Sequence, residues 1–394
     1  MLFIQDSQAI RDRDCRFSSA SRALLGSAGG YSAVRECGSM AGEFYGSDGA
    51  PKAGALGDAT VPMKSLRVGL DSYSVGPLRL GPLALLDWAK AHGADGVQFS
   101  DLYLEPGQTL DAGLLAEVGQ HAAQRGLYIE WGGGQHIPYD TTTWQPRELT
   151  PINAAAARQA HAVGAHVVRS CSGGLLRWSD RAPPTEALLR ETARALQAQK
   201  SLLTELDIVL AIELHFEFTT FELLRLFDLC AAEPGGYLGI CLDTMNVLTM
   251  LEDPVAATER ILPWVVAVHA KDGALRMTDT GLESFTTEIG GGVVDFGRIA
   301  ARIATLDRTI HFSVEDHGGS FALPIYDPTF LSRFPDLTAA ELAQLVRLAH
   351  ACPDTLVPLD RAEWPKHCAA RIQRDIIRLQ QIVRPPAMAE GRAT

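Results

Sequence analysis

The sequence lacks the features that mark secreted, membrane and nucleic-acid-binding proteins. Its seven cysteines are scattered through 394 residues without a CxxC pair, which favours a reducing cytosol over a disulfide framework. No apolar run is long enough to span a membrane. The 35 Lys and Arg are outnumbered by 47 Asp and Glu, and the net charge of −12 disfavours the basic surface that nucleic acids require. We therefore expect a cytoplasmic protein with no nucleic-acid or membrane partner.

Composition also divides the chain. Residues 1–65 are rich in Gly, Ser, Ala and Arg and have no sustained hydrophobic period, which predicts a disordered N-terminal extension. From residue 66 the pattern becomes regular, and 46% of the whole chain is hydrophobic, as in ordinary globular proteins. We expect one folded domain over residues 66–384 and a short tail over residues 385–394.

Within that domain, eight short apolar segments alternate with amphipathic segments. The eight predicted strands are LRVGLDSY, ADGVQFS, GLYIEWGG, AHVVRS, DIVLAIEL, YLGICL, WVVAVH and TIHFSVED. Eight strands alternating with helices indicate an α/β fold, the (β/α)8 TIM barrel, with a doubly wound sheet as the rival. Two further helices, over residues 339–351 and 361–383, are expected to close the outer ring. Residues 316–337 are expected to form a lid or an oligomer contact.

Four of the predicted strands end in groups that can bind a metal. These are Glu213, Asp243, His269 and Glu315, and the carboxyl ends of parallel strands are where such folds bind ligands. Three carboxylates and one imidazole suit one divalent cation, with Mn²⁺ as first choice and Mg²⁺ or Co²⁺ as alternatives. Taken singly, each carboxylate could be a solvated loop residue or a helix cap, and the histidine a structural residue.

The motifs that carry these residues resemble a known family. IELHFEFTTFELLRLFD, GICLDTMNV, VVAVHAKD, GGGVVDFGRI and SVEDHGG, in that order, resemble the xylose isomerase-like TIM-barrel superfamily, specifically its sugar phosphate isomerase/epimerase family. The similarity covers about residues 66–384. It implies that the Glu, Asp, His and Glu of these motifs, which are the four residues above, hold the metal. Ketose epimerases of the family use their two metal-binding glutamates as an acid/base pair, which implies that role for Glu213 and Glu315.

That role is chemically sound. A metal that binds a carbonyl and a neighbouring hydroxyl oxygen stabilises the enediolate left when the alpha proton is removed. Two carboxylates on opposite faces of that plane can remove and return the proton. The resemblance thus implies a metal-dependent isomerase or epimerase of a sugar, keto-sugar or related polyol. The same ligands would serve a lyase or dehydratase acting on a keto-inositol or 3-keto-sugar.

Six further residues are candidates for binding the substrate, and some of them could equally have a structural role. His215 lies two residues after Glu213 and should share its side of the strand. At the position of Asn246, many ketose epimerases have a His instead. This difference counts against simple ketose 3-epimerisation. Lys271 could equally pair with Asp272. The full set is His136, His215, Asn246, Lys271, Arg276 and His317.

Two other functions fit less well. A non-catalytic sugar-binding barrel would be signalled by loss of a ligand, and none of the four is missing. The abasic-site endonucleases of the superfamily use a larger, His-rich ligand set that holds several metal ions, and they need a face that binds DNA. The sequence leaves open the substrate, the reaction branch and whether the protein forms a homo-oligomer.

Overall fold

The computed structural model describes residues 66–353 and 355–384, so the predicted extension over residues 1–65 and the tail over residues 385–394 lie outside it. The described residues form eleven strands: β1 Arg67–Asp71, β2 Gly96–Phe99, β3 Tyr128–Gly134, β4 Val167–Ser170, β5 Val209–Glu213, β6 Leu238–Asp243, β7 Val265–Ala270, β8 Asp272–Thr278, β9 Gly281–Thr287, β10 His311–Val314 and β11 Ser320–Leu323. Strands β1 to β7 and β10 pair in parallel and close into a barrel in the order β1-β10-β7-β6-β5-β4-β3-β2. The predicted TIM barrel is confirmed, and each predicted strand supplies one barrel strand.

Twelve α-helices cover the barrel or follow it in the described part of the chain. They are α1 Pro82–Ala91, α2 Ala112–Arg125, α3 Thr150–Val163, α4 Thr185–Gln197, α5 Lys200–Glu205, α6 Thr220–Leu229, α7 Asn246–Thr249, α8 Pro254–Ile261, α9 Phe296–Ile303, α10 Pro328–Leu331, α11 Ala339–Ala351 and α12 Trp364–Val383. Many helix starts are set by side-chain caps, as in α6, where Thr219 and Glu222 form a capping box. No helix in this region is long and apolar enough to cross a membrane.

The barrel strands explain why polar groups gather at one end. Side chains alternate along a strand, so residues two apart lie on the same face. Ala211, Cys241 and Ala267 each precede a predicted metal ligand by two residues, and they form one fully buried cluster. Their small side chains therefore pack in the barrel interior next to the larger polar residues at the strand ends.

A second sheet was not predicted from the sequence. Strands β8, β9 and β11 form a three-stranded antiparallel sheet in the order β11-β9-β8. Strand β8 begins only two residues after β7 ends, so one residue, Lys271, separates barrel and second sheet. The segment expected to act as a lid supplies β11 and α10, and β11 pairs with β9 from Ser320 to Leu323. This segment therefore belongs to the folded body.

Candidate metal centre and active site

The four predicted metal residues lie together at the carboxyl end of the barrel. Glu213 ends β5, Asp243 ends β6, His269 is the penultimate residue of β7, and Glu315 follows β10. Those four strands are consecutive neighbours, and Asp243 is in register with His269. One donor atom from each residue lies within 4.8 Å of the others, and all four side chains are buried. This spacing fits four side chains around a single ion.

Each of the four residues also has one buried side-chain atom without a hydrogen bond in the described part of the chain. The atoms are Glu213 Oε2, Asp243 Oδ2, His269 Nδ1 and Glu315 Oε2. Their contacts are ion pairs instead, with Arg169, with Lys271 and between His269 and Glu315, so these atoms can exchange a cationic partner for a metal ion. Oxygen and imidazole nitrogen are also the donors that Mn²⁺ and Mg²⁺ accept. The residues present therefore fit a divalent cation.

Two basic side chains partly balance the carboxylates. Arg169 Nη2 lies 2.6 Å from Glu213 Oε2. The Lys271 ammonium lies 2.9 Å from Asp243 Oδ2 and 2.8 Å from Glu315 Oε2. Asp71 Oδ2 adds a fourth carboxylate 3.5 Å from His269 Nε2, and His269, whose pKa is raised, is a third cation of the centre. A divalent cation would take over the balancing charge that the His269 proton now supplies.

The pKa values of the three proposed carboxylate ligands are shifted in different directions. Burial raises the pKa of each, but Arg169 and His269 outweigh burial at Glu213 and lower its pKa. Lys271 and His269 likewise hold the pKa of Glu315 well below its ordinary value. At Asp243 burial wins over Lys271 and raises the pKa to about 6. Burial alone would lower the pKa of His269, yet Cys241, Glu315 and Glu213 raise it well above its ordinary value. The two glutamates therefore favour the carboxylate form that a base requires.

Of the six substrate-binding candidates, Lys271 and Asn246 join the metal group directly. Lys271 pairs with Asp243 and Glu315. It does not pair with Asp272, which was the structural alternative, because Asp272 accepts backbone N–H groups instead. The Asn246 backbone N–H donates to Asp243 Oδ1 at 2.8 Å, and its side-chain oxygen lies 3.5 Å from Lys271 Nζ. Asn246 is almost fully buried, and its amide nitrogen has no hydrogen bond within the described residues.

The three histidine candidates have different surroundings. His215 Nδ1 lies 3.2 Å from Glu217 Oε2, and the ring keeps some exposure. His136 is buried with Nδ1 3.0 Å from Ser170 Oγ, and its Nε2 has no hydrogen bond in the described chain. His317 Nδ1 lies 2.9 Å from Arg361 Nη2 and 3.0 Å from the Gly318 carbonyl oxygen. His317 follows Glu315 closely, whereas His136 belongs to the β3 side of the barrel.

Arg276 lies away from this buried group. It belongs to β8, where its Nη2 pairs with Glu283 Oε2 on β9 at 2.5 Å. Its side chain is 45% exposed.

Asp272 organises the glycine-rich segment before α9. Its carboxylate accepts the backbone N–H groups of Gly273, Gly290, Gly292 and Val294. A Cβ on Gly292 would overlap the Gly273 carbonyl oxygen and the Asp272 carboxylate. Since these N–H groups already bind a carboxylate of the chain, the segment is a structural loop. This agrees with the missing GK[ST] of a phosphate-binding loop.

Helix α12 is tied to the end of β10. Arg371 Nη2 lies 2.6 Å from Asp316 Oδ2, next to Glu315 in the chain, and Arg371 Nε donates to Asp375 Oδ2 at 3.2 Å. Asp375 Oδ1 accepts the backbone N–H of Ile289 at 2.9 Å. Arg371, Asp316 and Asp375 are all buried. One helix thereby holds both the segment after Glu315 and the glycine-rich loop.

Comparison with known families agrees with this geometry. A model of the family described as xylose isomerase-like TIM barrel matches residues 86–346, well over half of the chain. The chain belongs to the xylose isomerase-like TIM barrel family. The family predicted from the motifs is thus confirmed. No curated protein sequence matches the chain.

Several solved structures are similar to this xylose isomerase-like barrel at low sequence identity. A D-psicose 3-epimerase from Clostridium cellulolyticum H10, solved with D-tagatose, aligns with a TM-score of 0.53 and 9% identity over 81% of this chain and 99% of that chain. An L-ribulose 3-epimerase aligns with a TM-score of 0.49 and 16% identity over 80% and 96%. A probable 3-DHS dehydratase from Bacillus anthracis gives a TM-score of 0.48 and 16% identity over 71% and 98%.

Sequence reasoning missed a second polar group of this family member. Cys171, His215 and Glu217 bring donor atoms within 4.8 Å of one another. Glu217 is buried and accepts the Gly174 backbone N–H at 2.8 Å. The alternation Glu213-x-His215-x-Glu217 was a usable signal for Glu217. Cys171 had none, because it follows β4 as a single residue without a motif, and its neighbours His215 and Glu217 lie on the segment after the adjacent strand β5.

An aromatic cluster adjoins this second group. Phe216 lies between His215 and Glu217 in the chain, and its ring is 5.9 Å from Trp178 and 4.6 Å from Phe321. Trp178 Nε1 donates to the carbonyl oxygen of Ala322 in β11 at 3.1 Å. The cluster therefore fixes the second sheet against the segment that follows β5.

Proposed function

We propose that the protein is a divalent-metal-dependent isomerase or epimerase of a sugar, keto-sugar or related polyol. The observation that carries this proposal is the convergence of four buried donor atoms within 4.8 Å of one another, one each from Glu213, Asp243, His269 and Glu315. Family membership supports the sugar class of the substrate. The D-psicose 3-epimerase, which shares the fold, is consistent with the same class.

The chain's own residues can divide the chemistry between them. A divalent ion held by the four residues would polarise a substrate carbonyl and so acidify the proton beside it. Glu213 and Glu315 come from β5 and β10, at opposite ends of the row of four strands. They can therefore approach a bound substrate from opposite sides. One, as a carboxylate, removes the proton, and the other, as a carboxylic acid, delivers its own proton to the opposite face. The lowered pKa values favour the carboxylate form of the glutamate that acts as the base.

The neighbouring polar residues are suited to holding the substrate. The Lys271 ammonium contacts both Asp243 and Glu315, so it can donate to a substrate oxygen that gains negative charge. His215 and Glu217 form a pair next to Glu213 that can bind hydroxyl groups. Asn246 has a buried amide nitrogen to donate. His136 and His317 remain candidates at the edge of the site, and Arg276 is the weakest of the six.

Metal content is the first test of this proposal. Elemental mass spectrometry of the purified protein should find about one Mn, Mg or Co per chain. Asp243→Ala should lose the metal, because it removes one of four ligands. Arg276→Ala, which changes an exposed residue of β8, should keep it. A protein that holds no metal even after exposure to Mn²⁺ would refute the metal-dependent function and favour a sugar-binding barrel.

Solvent isotope exchange then tests the reaction. In heavy water, an epimerase or isomerase should place deuterium beside the substrate carbonyl, and product analysis separates the two. A dehydratase would release water and give an unsaturated product instead. Keto-sugars, with and without phosphate, form the first screen. A metal-loaded protein that binds such sugars without exchanging any proton would contradict the catalytic assignment.

A further inference from the structure

A row of hydrogen-bonded polar side chains runs through the barrel interior from His269. Its members are Gln98 on β2, Glu130 on β3 and His311 on β10. His269 Nε2 is hydrogen-bonded to Gln98 Oε1, Gln98 Nε2 donates to Glu130 Oε2 at 2.6 Å, and Glu130 Oε1 lies 3.0 Å from His311 Nδ1. Gln98 and Glu130 are almost completely buried. TIM-barrel interiors are usually filled by branched apolar residues, so a buried polar row needs a reason.

The row has a direction that follows from its chemistry. A carboxylate accepts hydrogen bonds and donates none, so Glu130 requires the NH₂ side of the Gln98 amide. The amide carbonyl oxygen must then face His269. Glu130 is itself held from the other side by His311, whose ring stacks on Tyr128 with centroids 3.8 Å apart. Tyr128 in turn shares a 2.9 Å hydrogen bond with Ser313. The orientation of Gln98 is thus fixed by residues below the centre.

The consequence for His269 concerns its two ring nitrogens. Nε2 faces two acceptors, Gln98 Oε1 and Asp71 Oδ2, the latter at 3.5 Å. Nδ1 faces the metal group, with Glu213 Oε1 at 3.4 Å and Glu315 Oε2 at 3.1 Å. Both nitrogens face acceptors, but those at Nδ1 are themselves proposed metal ligands. A bound cation would take the place of a proton on Nδ1, whereas the acceptors at Nε2 keep the proton on that nitrogen.

We propose that Gln98, oriented by Glu130, is a positioning residue that keeps a proton on Nε2 of His269 and so makes Nδ1 the metal-binding atom. This inference rests on the proposed metal function. It adds two residues that touch neither metal nor substrate. Partners of this kind, which hold a ligating histidine, typically change metal affinity by 10–100-fold when removed.

Removing the acceptor is the direct test. Gln98→Leu, with Gln98→Met as an unbranched second variant, leaves Nε2 without its amide partner while Asp71 stays in place. The dissociation constant for Mn²⁺ should rise about 10–100-fold in either variant. Thermal unfolding followed by circular dichroism identifies which variant is folded and can be used. A folded variant with the wild-type Mn²⁺ affinity would overturn the proposal.

Exchanging Gln98 and Glu130 tests whether Glu130 sets the orientation of the Gln98 amide. Gln98→Glu alone places two carboxylates side by side and should weaken Mn²⁺ binding. The double variant Q98E/E130Q reverses the pair. Gln at position 130 then donates to Glu at position 98, which still accepts from His269. The double variant should recover the wild-type affinity for Mn²⁺. If it binds as weakly as Gln98→Glu, the orienting role of Glu130 is refuted.

Nuclear magnetic resonance of ¹⁵N-histidine separates this inference from the metal function. The Nε2 proton of His269 should be protected from solvent exchange in the metal-free and the Mg²⁺-loaded protein, and unprotected in Gln98→Leu. If the wild type binds no metal, the proposed function fails, but a protected proton that depends on Gln98 still supports the row. A wild-type Nε2 proton that exchanges freely overturns the inference even if metal binds.

Discussion

The ammonium group of Lys271 lies 2.8 Å from Glu315 Oε2 and also contacts Asp243. Lys271 is therefore positioned between two proposed metal ligands, where a cation competes with the metal for the same oxygens. Lys271→Met should leave Mn²⁺ affinity unchanged or increase it. Turnover should fall about 10²–10³-fold, as for loss of a donor to developing negative charge. Isothermal titration and turnover, measured on one preparation, check this. If Lys271→Met lost Mn²⁺ affinity and turnover together, Lys271 would have a purely structural role.

Glu315→Gln should abolish turnover and leave the fold intact. An amide of nearly the same shape cannot act as a base, and loss of general acid–base catalysis costs about 10²–10⁴-fold. Deuterium uptake by the substrate measures the effect, and circular dichroism checks the fold. The matched control is Glu283→Gln, since Glu283 pairs with Arg276 on the second sheet. Unchanged activity in Glu315→Gln would rule out its catalytic role.

Metal binding should weaken as the pH falls through about 6. Burial raises the pKa of Asp243 to about 6 in the metal-free protein, and a carboxylate must be deprotonated to bind a metal. Above that pH the ligand is ready, whereas below it each bound ion must first displace a proton. The raised pKa of His269 acts in the same direction. Mn²⁺ titrations between about pH 5 and pH 8 test this. An affinity independent of pH over this range would contradict it.

Gly292→Ala should destabilise the protein by about 1–3 kcal/mol, the usual cost of forcing an extra methyl group into a packed site. The added Cβ would overlap the Gly273 carbonyl oxygen and the Asp272 carboxylate. Gly297→Ala is the control, because it lies inside α9 where a Cβ meets only an ordinary contact. The control should gain about 0.4–1 kcal/mol. Urea unfolding compares the two, and equal stabilities would show that the loop can rearrange.

The sequence predicted the barrel well because each strand carries its own local signal. It also indicated where Glu213, Asp243, His269 and Glu315 would meet, since parallel strands bring their carboxyl ends to one edge. Gln98 and Glu130 were not found. Each is a single polar residue within an apolar strand, and its role depends on a partner across the barrel. Such pairings are set by closure of the sheet.

Two other differences have the same origin. The amphipathic segment before β5 forms two helices, α4 and α5, although no Gly or Pro marks the break between them. The buried amide oxygen of Gln199, which lies between the helices, accepts from Asn153 Nδ2 at 2.6 Å. Strand β8 was missed because its partners, Gly281–Thr287, give it a strand conformation that its own sequence does not signal. In both places tertiary contacts decide the local structure.

The contact between Arg371 and Asp316 has a practical consequence for protein engineering. Helix α12 ends at Val383, close to the carboxyl end of the described chain, and looks like a convenient place to trim or to fuse a tag. The guanidinium of Arg371 in this helix, however, anchors Asp316, the residue next to Glu315. Shortening this helix would release one wall of the proposed active site. Fusions and circular permutations of this barrel should therefore keep residues 364–383 whole.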